Sequence, residues 1–145
     1  MLTIDGVTKA YASAEGPVAV LNGVSLALAA GESLALTGES GSGKSTLLHL
    51  AGALDRPDGG TVSVGGVDLA GLDDAGLAMV RRDRIGIIFQ QFNLIPSLSV
   101  AANIGFQARL AGRFDAGWTA HMAGVLGLTA LLGRYPDELS GGQQQ

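Results

Sequence analysis

The sequence predicts an α/β fold in which a strand-rich part is followed by a helical part. Short apolar runs alternate with glycine-rich turns up to about residue 95, whereas the pattern after Pro96 has the periodicity of helices. In addition, 47% of the 145 residues are hydrophobic and only 15% are charged. This composition is typical of a chain with a buried core and excludes a disordered one.

Composition also narrows the class of protein. The chain has no cysteine, which excludes disulfides and thiolate metal sites and favours a reducing compartment. Its formal net charge of −4 argues against nucleic-acid binding, which usually requires a basic surface. No apolar run approaches the roughly 18–20 residues of a membrane span, and the first residues lack a basic secretory leader. We therefore expect a cytoplasmic protein with no nucleic-acid partner.

The strand-rich part is expected to contain two hairpins and two buried strands. The dipeptides Asn22-Gly23 and Gly65-Gly66 each separate short apolar runs, as two-residue hairpin turns do. Residues 33–37 and 85–89 are largely apolar and short, which indicates strands buried on both faces. Helices are expected over residues 44–54, 73–83, 99–111, 115–126 and 129–132.

A glycine-rich stretch between the first of these buried strands and a helix matches the phosphate-loop pattern G-x-x-x-x-G-K-[ST]. Its glycines allow backbone N–H groups to turn toward a phosphate, Lys44 supplies a positive charge, and the Ser45 hydroxyl is a ligand for Mg²⁺. The candidate nucleotide-binding residues are Gly38, Ser40, Gly41, Ser42, Gly43, Lys44, Ser45 and Thr46.

A second motif, Leu139-Ser140-Gly141-Gly142-Gln143, stands near the last residue. At a helix start, the Ser140 hydroxyl and the amides of Gly141 and Gly142 would form another cap for an anion. A phosphate loop followed by this signature motif resembles the ATP-binding-cassette (ABC) ATPases, the motor subunits of transporters. The resemblance extends over the whole chain, and residues 81–96 look most like the lipoprotein-release and macrolide-export branch.

The resemblance implies an α/β P-loop NTPase core with an antiparallel β subdomain and an inserted helical subdomain. The corresponding divisions are residues 1–95, residues 96–139 and the start of the signature helix at 140–145. It also implies that ATP and Mg²⁺ are bound in a head-to-tail dimer of ATPase domains. There, Ser140, Gly141, Gly142 and Gln143 would contact the γ-phosphate held by the other subunit. The implied partners are membrane-spanning transporter subunits, with the protein peripheral to the inner membrane.

Two further site residues follow from the resemblance. Gln90, directly after the second buried strand, matches the glutamine that reaches Mg²⁺ and positions the attacking water. Tyr11 is similar to the aromatic residue that stacks on adenine; the alternative is a half-buried tyrosine near a strand end.

The aspartate, glutamate and switch histidine with which this family hydrolyses ATP all follow the signature motif, so we expect a C-terminally truncated chain without ATPase activity. Asp137-Glu138 does not replace them, because residues 133–136 do not read as a buried strand. Two alternatives to a transporter subunit are a non-hydrolysing nucleotide-binding module and a DNA-repair or chromosome-organising ATPase. The second is disfavoured because no sustained heptads separate the two motifs. The transported substrate and its direction are not predicted.

Overall fold

The computed structural model describes residues 1–145, which form two compact units, Met1–Gly86 and Ile87–Gln145. The first unit ends at Gly86, whereas the sequence pattern changes to that of helices only after Pro96. The three-part division of the chain stays a prediction. No helix combines the length and the apolar character needed to cross a membrane.

The first unit contains one four-stranded antiparallel sheet. Its strands are β1 (Leu2–Ser13), β2 (Gly16–Leu28), β3 (Gly59–Val64) and β4 (Val67–Asp68), in the spatial order β2-β1-β3-β4. The predicted hairpin at Gly65-Gly66 is confirmed, since Val64 pairs with Val67. Both glycines have positive φ, 57° and 80°, as a tight two-residue turn requires.

The predicted hairpin at Asn22-Gly23 is wrong. Strand β2 continues through both residues, and Asn22 pairs with Thr8 of β1. The register shifts between this pair and the pairing of Val7 with Val24, and Gly23 has a φ of 75°. A glycine at positive φ serves a β-bulge as well as a hairpin turn, so the dipeptide alone does not distinguish them. The turn that joins β1 to β2 lies at residues 14–15 instead.

Two helices complete the first unit: α1 (Lys44–Ala51) and α2 (Asp74–Arg84). They bury their apolar faces with the sheet in a single core. The buried core residues are Ile4, Val7, Leu21, Leu47, Leu50, Ala53, Val62, Leu69, Leu77 and Val80. Leu47 and Leu50 lie three positions apart on one face of α1, and both are buried in this core. The helix that follows the phosphate loop is therefore anchored in the core.

The two predicted buried strands are also wrong as strands of this chain. Residues 33–37 and 85–89 are not hydrogen-bonded into any sheet, and most of their side chains are exposed. Leu34 is 56% exposed and Ile88 is 100% exposed. An apolar run indicates that a segment can be buried, but a strand forms only when another strand satisfies its N–H and C=O groups.

The second unit is helical, as predicted. It contains α3 (Val100–Leu110), α4 (Ala116–Val125), single 3₁₀ turns at Thr129–Leu131 and Pro136–Glu138, and α5 (Gly141–Gln144). Residues 133–136 form no strand, so Asp137 and Glu138 do not follow a buried strand. Glu138 instead accepts a hydrogen bond from the Tyr135 N–H at 2.7 Å and so caps its own turn.

Candidate functional site

The loop before α1 depends on three glycines in the left-handed region. Gly38, Gly41 and Gly43 have φ values of 145°, 81° and 86°, which residues with a side chain rarely adopt. A Cβ added at Gly43 would lie 3.0 Å from the Val20 carbonyl oxygen and 3.0 Å from Leu21 Cδ2. The loop therefore lies directly against β2 at this point, and only glycine fits.

Helix α1 begins without a side-chain cap, unlike the other long helices. Asp73, Ser99 and Asp115 precede α2, α3 and α4, and the side chain of each accepts a hydrogen bond from its helix. The residue before α1 is Gly43, which has no side chain to offer. The first N–H groups of a helix have no intrahelical acceptor, so those of α1 are available to an external anion.

The Lys44 side chain folds back over the loop. Its Nζ donates to the Gly38 carbonyl oxygen at 2.9 Å, to the Glu39 carbonyl oxygen at 2.5 Å and to Ser42 Oγ at 3.3 Å. These three acceptors hold the ammonium group within the arc of the loop. A positive charge thus lies beside the uncapped helix N-terminus, where an anion is already favoured.

The remaining predicted residues of the loop lie in the same place. Ser40 and Ser42 are exposed on the arc, Ser45 is exposed in the first turn of α1, and Thr46 beside it is half-buried. Gly38 lies close to Ser42: a Cβ added to Gly38 would be only 3.0 Å from Ser42 Oγ. The structure therefore gathers all the predicted phosphate-loop residues at the start of one helix, with Gly43 buried against β2 and the other glycines and the serines exposed.

Tyr11 lies near the end of β1 and is 41% exposed. Its hydroxyl donates to Asp55 Oδ2 at 2.9 Å, and Lys9 Nζ donates to Asp55 Oδ1 at 3.0 Å. Lys9 and Asp55 are not predicted as site residues from the sequence, because they lie 46 positions apart and form no motif. They meet because β3 pairs antiparallel with β1. Residues 55–58, which directly precede β3, therefore lie beside the part of β1 that contains Lys9 and Tyr11.

This cluster changes the proton affinities of its members. Burial disfavours the charged form of Asp55, but hydrogen bonds from Lys9, the Arg56 N–H and Tyr11 outweigh burial and lower the pKa of Asp55 below its ordinary value. Burial also opposes the charged form of Lys9. The hydrogen bond to Asp55, together with attraction to Asp55 and Asp58, nevertheless raises the pKa of Lys9.

Gln90 lies in the second unit, on an exposed bend that follows residues 85–89. It is part of the wall of an open depression of about 690 Å³. Apolar side chains form much of the same wall: Ile87, Ile88, Phe89, Phe92, Ile95 and Phe106. Gln90 is thus accessible, with apolar surface beside it.

The signature residues surround the start of α5. Ser140 precedes the helix, and Gln143 Oε1 accepts a hydrogen bond from the Ser140 N–H at 3.0 Å. Gln144 Nε2 donates to the Pro136 carbonyl oxygen at 2.7 Å and fixes the helix to the preceding turn. The Gln143 side chain therefore shapes this helix start, and Ser140, Gly141 and Gly142 are exposed there.

Comparison with known proteins gives relatives that match the whole chain. It is 45% identical to the lipoprotein-releasing system ATP-binding protein LolD of Geobacter metallireducens and 47% identical to the methionine import ATP-binding protein MetN of Caulobacter vibrioides. It is 43% identical to the macrolide export ATP-binding/permease protein MacB of Rhodospirillum rubrum. All of this chain is covered, but only 66%, 44% and 23% of these relatives, respectively. LolD and MacB belong to the branch that residues 81–96 resemble, and MetN is equally similar.

A solved structure shares the fold. The chain superposes with a TM-score of 0.89 and 36% identity on the dimeric ATP-binding cassette MJ0796 in a post-hydrolysis state bound to ADP and Pi. The match covers 99% of this chain and 65% of that one, which confirms the predicted α/β fold class. The sequence profile described as ABC transporter matches residues 21–145, which include both the phosphate loop and the signature motif. The chain belongs to the ABC transporter family.

Proposed function

We propose that this chain binds Mg·ATP at its phosphate loop and acts as the ATP-binding part of a transporter. The observation that supports this most directly is the start of α1, where Gly43 leaves the helix uncapped and Lys44 lies within the loop. Bound phosphate would accept hydrogen bonds from the first N–H groups of α1 and a charge-assisted bond from Lys44. To reach it, Nζ would leave the carbonyl oxygens of Gly38 and Glu39 that it now contacts.

We expect Mg²⁺ to bind this site together with the nucleotide and not by itself. The chain has no group of three or more acidic or histidine side chains that could hold a metal by itself. Mg²⁺ binds few protein ligands and keeps phosphate oxygens and waters as the rest, neutralising charge on the phosphates. The exposed Ser45 hydroxyl in the first turn of α1 is suited to this role. The family resemblance implies that Gln90 is the residue that would also reach Mg²⁺ and position the attacking water.

We also propose that the functional state is a head-to-tail dimer. The related cassette MJ0796 is dimeric with ADP and Pi bound. In such a dimer Ser140, Gly141 and Gly142 would face the nucleotide of the other subunit, and Gln143 would support them through its bond to the Ser140 N–H. The proposed partners are membrane-spanning subunits, which would place the protein in the cytoplasm at the inner membrane.

These 145 residues are expected to bind ATP without hydrolysing it. The family resemblance implies that the residues which hydrolyse ATP follow the signature motif, and Glu39 is the one carboxylate within the phosphate loop. Glu39 contributes only its backbone carbonyl to the contacts described. The alternative function, a non-hydrolysing regulatory module, also predicts ATP binding by these residues. It would be favoured over a transporter ATPase only if a longer form of the protein also failed to hydrolyse ATP.

The phosphate site is tested with Lys44→Ala and, as a matched loss of one surface cation, Arg134→Ala. Equilibrium titration with a fluorescent ATP analogue should show about 10- to 100-fold weaker binding for Lys44→Ala, since a hydrogen bond to a charged group contributes about 1.5–3 kcal/mol. Arg134→Ala should bind like the wild type. Equal affinity of Lys44→Ala and the wild type would show that the site is assigned wrongly. Mg·ATP turnover above that of Lys44→Ala would contradict the absence of hydrolysis.

A further inference from the structure

The Tyr11 ring is fixed by its hydroxyl to the segment that follows α1. The hydroxyl donates to Asp55 Oδ2 at 2.9 Å, and Asp55 is only four positions beyond the last residue of α1, Ala51. Asp55 Oδ1 accepts at the same time from Lys9 Nζ at 3.0 Å and from the Arg56 N–H at 2.7 Å. Three donors thus fix both carboxylate oxygens, so the acceptor that holds Tyr11 is itself rigid.

Lys9, two positions before Tyr11 on β1, strengthens this arrangement. Its side chain is only 11% exposed, and Nζ also donates to the Arg56 carbonyl oxygen at 2.6 Å and lies 3.6 Å from Asp58 Oδ1. Asp58 Oδ2 in turn accepts from the Ala10 N–H at 2.7 Å. Residues 55–58 are therefore joined to β1 immediately before Tyr11, by charge-assisted bonds that are partly shielded from water.

Two contacts restrict the orientation of the Tyr11 ring, although a large part of the side chain stays exposed. Its hydroxyl end is hydrogen-bonded, and Lys9 Nζ lies 5.3 Å from the ring centroid, within the range of a cation–π contact. A side chain held in its binding orientation loses less conformational entropy when a ligand stacks on it. The same helix, α1, carries the phosphate loop at its start and is followed by Asp55, so one element relates the ring to the phosphate site.

We propose that Asp55 is a positioning residue that orients the Tyr11 ring for stacking on the nucleotide base, with Lys9 holding Asp55 in place. This role rests on the proposed binding of ATP at the phosphate loop. It explains a tyrosine at this position, since phenylalanine would provide the same ring face without the anchoring hydroxyl. The other role open to these bonds is purely structural, joining β1 to residues 55–58 with no effect on the base.

The two roles differ in which ligands they affect. Inorganic triphosphate, bound with Mg²⁺, uses the phosphate loop but has no base to stack. A ring-orienting role predicts that Tyr11→Phe and Asp55→Ala weaken ATP binding about 2- to 10-fold, the equivalent of one hydrogen bond, and leave triphosphate binding unchanged. Asp55→Asn keeps a side-chain oxygen for the Tyr11 hydroxyl and should retain most of the ATP affinity.

The measurement is calorimetric titration of the protein with Mg·ATP and with Mg·triphosphate. Tyr135→Phe is the matched control, because Tyr135 is the other of the two tyrosines and is 48% exposed. Selective loss of ATP affinity in Tyr11→Phe and Asp55→Ala, with Tyr135→Phe unchanged, would support the proposal. Unchanged ATP affinity in both, or an equal loss for both ligands, would overturn it while leaving the phosphate site intact. If the wild type binds neither ligand, the proposed function is wrong and the positioning role is wrong with it.

Discussion

Asn103 forms a two-way hydrogen-bonded pair with the backbone of Ile95. Its Oδ1 accepts from the Ile95 N–H at 2.8 Å, and its Nδ2 donates to the Ile95 carbonyl oxygen at 3.1 Å. The same Nδ2 lies 2.9 Å from the Leu98 carbonyl oxygen and 3.2 Å from that of Ser99. One amide on α3 therefore fixes residues 95–99, the loop that leads into this helix.

Asn103→Asp should destabilise the second unit by about 1–3 kcal/mol. The substitution keeps the side-chain shape but replaces the Nδ2 donor with an oxygen that faces three carbonyl oxygens, and these lose their partner. Chemical unfolding followed by circular dichroism measures the change. Gln107→Glu, an amide-to-acid change at an exposed position one turn further along α3, is the control and should have little effect. Equal effects of the two changes would contradict the assigned role of Asn103.

Gly43→Ala should lower the free energy of unfolding more than Gly41→Ala does. Both residues have φ near 80°, so an alanine costs about 1–2 kcal/mol of backbone strain at either position. Only at Gly43 does the new Cβ also approach β2, at 3.0 Å from the Val20 carbonyl oxygen, whereas nothing lies within 4 Å at Gly41. Urea unfolding of the two variants measures the difference. Equal losses would show that the loop does not lie against β2 in solution.

The stabilisation that depends on the charge of Asp55 should disappear in acid. The pKa of Asp55 is lowered in the folded protein, so its contribution is complete above the unfolded carboxyl value of about 3.9 and is lost as the pH falls through the folded value. The pKa of Lys9 is raised, so its contribution is lost only above about pH 10. Tyr11 and Asp58 are the other ionisable groups in contact with this pair.

Comparison of the wild type with Asp55→Asn tests this pH dependence. The difference in unfolding free energy between them should be constant from about pH 5 to pH 9 and should shrink below about pH 4. Thermal unfolding at a series of pH values provides the measurement. A difference that is unchanged down to pH 2 would mean that the Asp55 charge does not stabilise the fold.

Two isoleucines allow the same substitution to be compared at buried and exposed positions. Ile4→Ala removes a side chain that is 2% exposed in the core and should cost about 2–5 kcal/mol. Ile88→Ala changes a side chain that is fully exposed, so the unfolding free energy should change by no more than about 0.5 kcal/mol. Urea unfolding of both variants measures this. A large loss for Ile88→Ala would show that another surface covers residues 85–89 in solution.

Local patterns in the sequence determined the helices and the phosphate loop. Asp73 and Ser99 cap α2 and α3 at the predicted starts of these helices, because a cap needs only the adjacent N–H groups. The phosphate loop is likewise local, since Gly43 and Lys44 act on the helix that they begin. The signature motif together with this loop was enough to identify the family, which the match over residues 21–145 confirms.

Only the tertiary structure decided which apolar segments become strands and which distant side chains meet. Gly23 is at a bulge because β1 pairs along the whole of β2, and residues 33–37 stay outside the sheet because no strand pairs with them. The bond between Tyr11 and Asp55 joins residues 44 positions apart. Strand pairing and contacts of this kind depend on where the rest of the chain lies, so no local pattern of residue types predicts them.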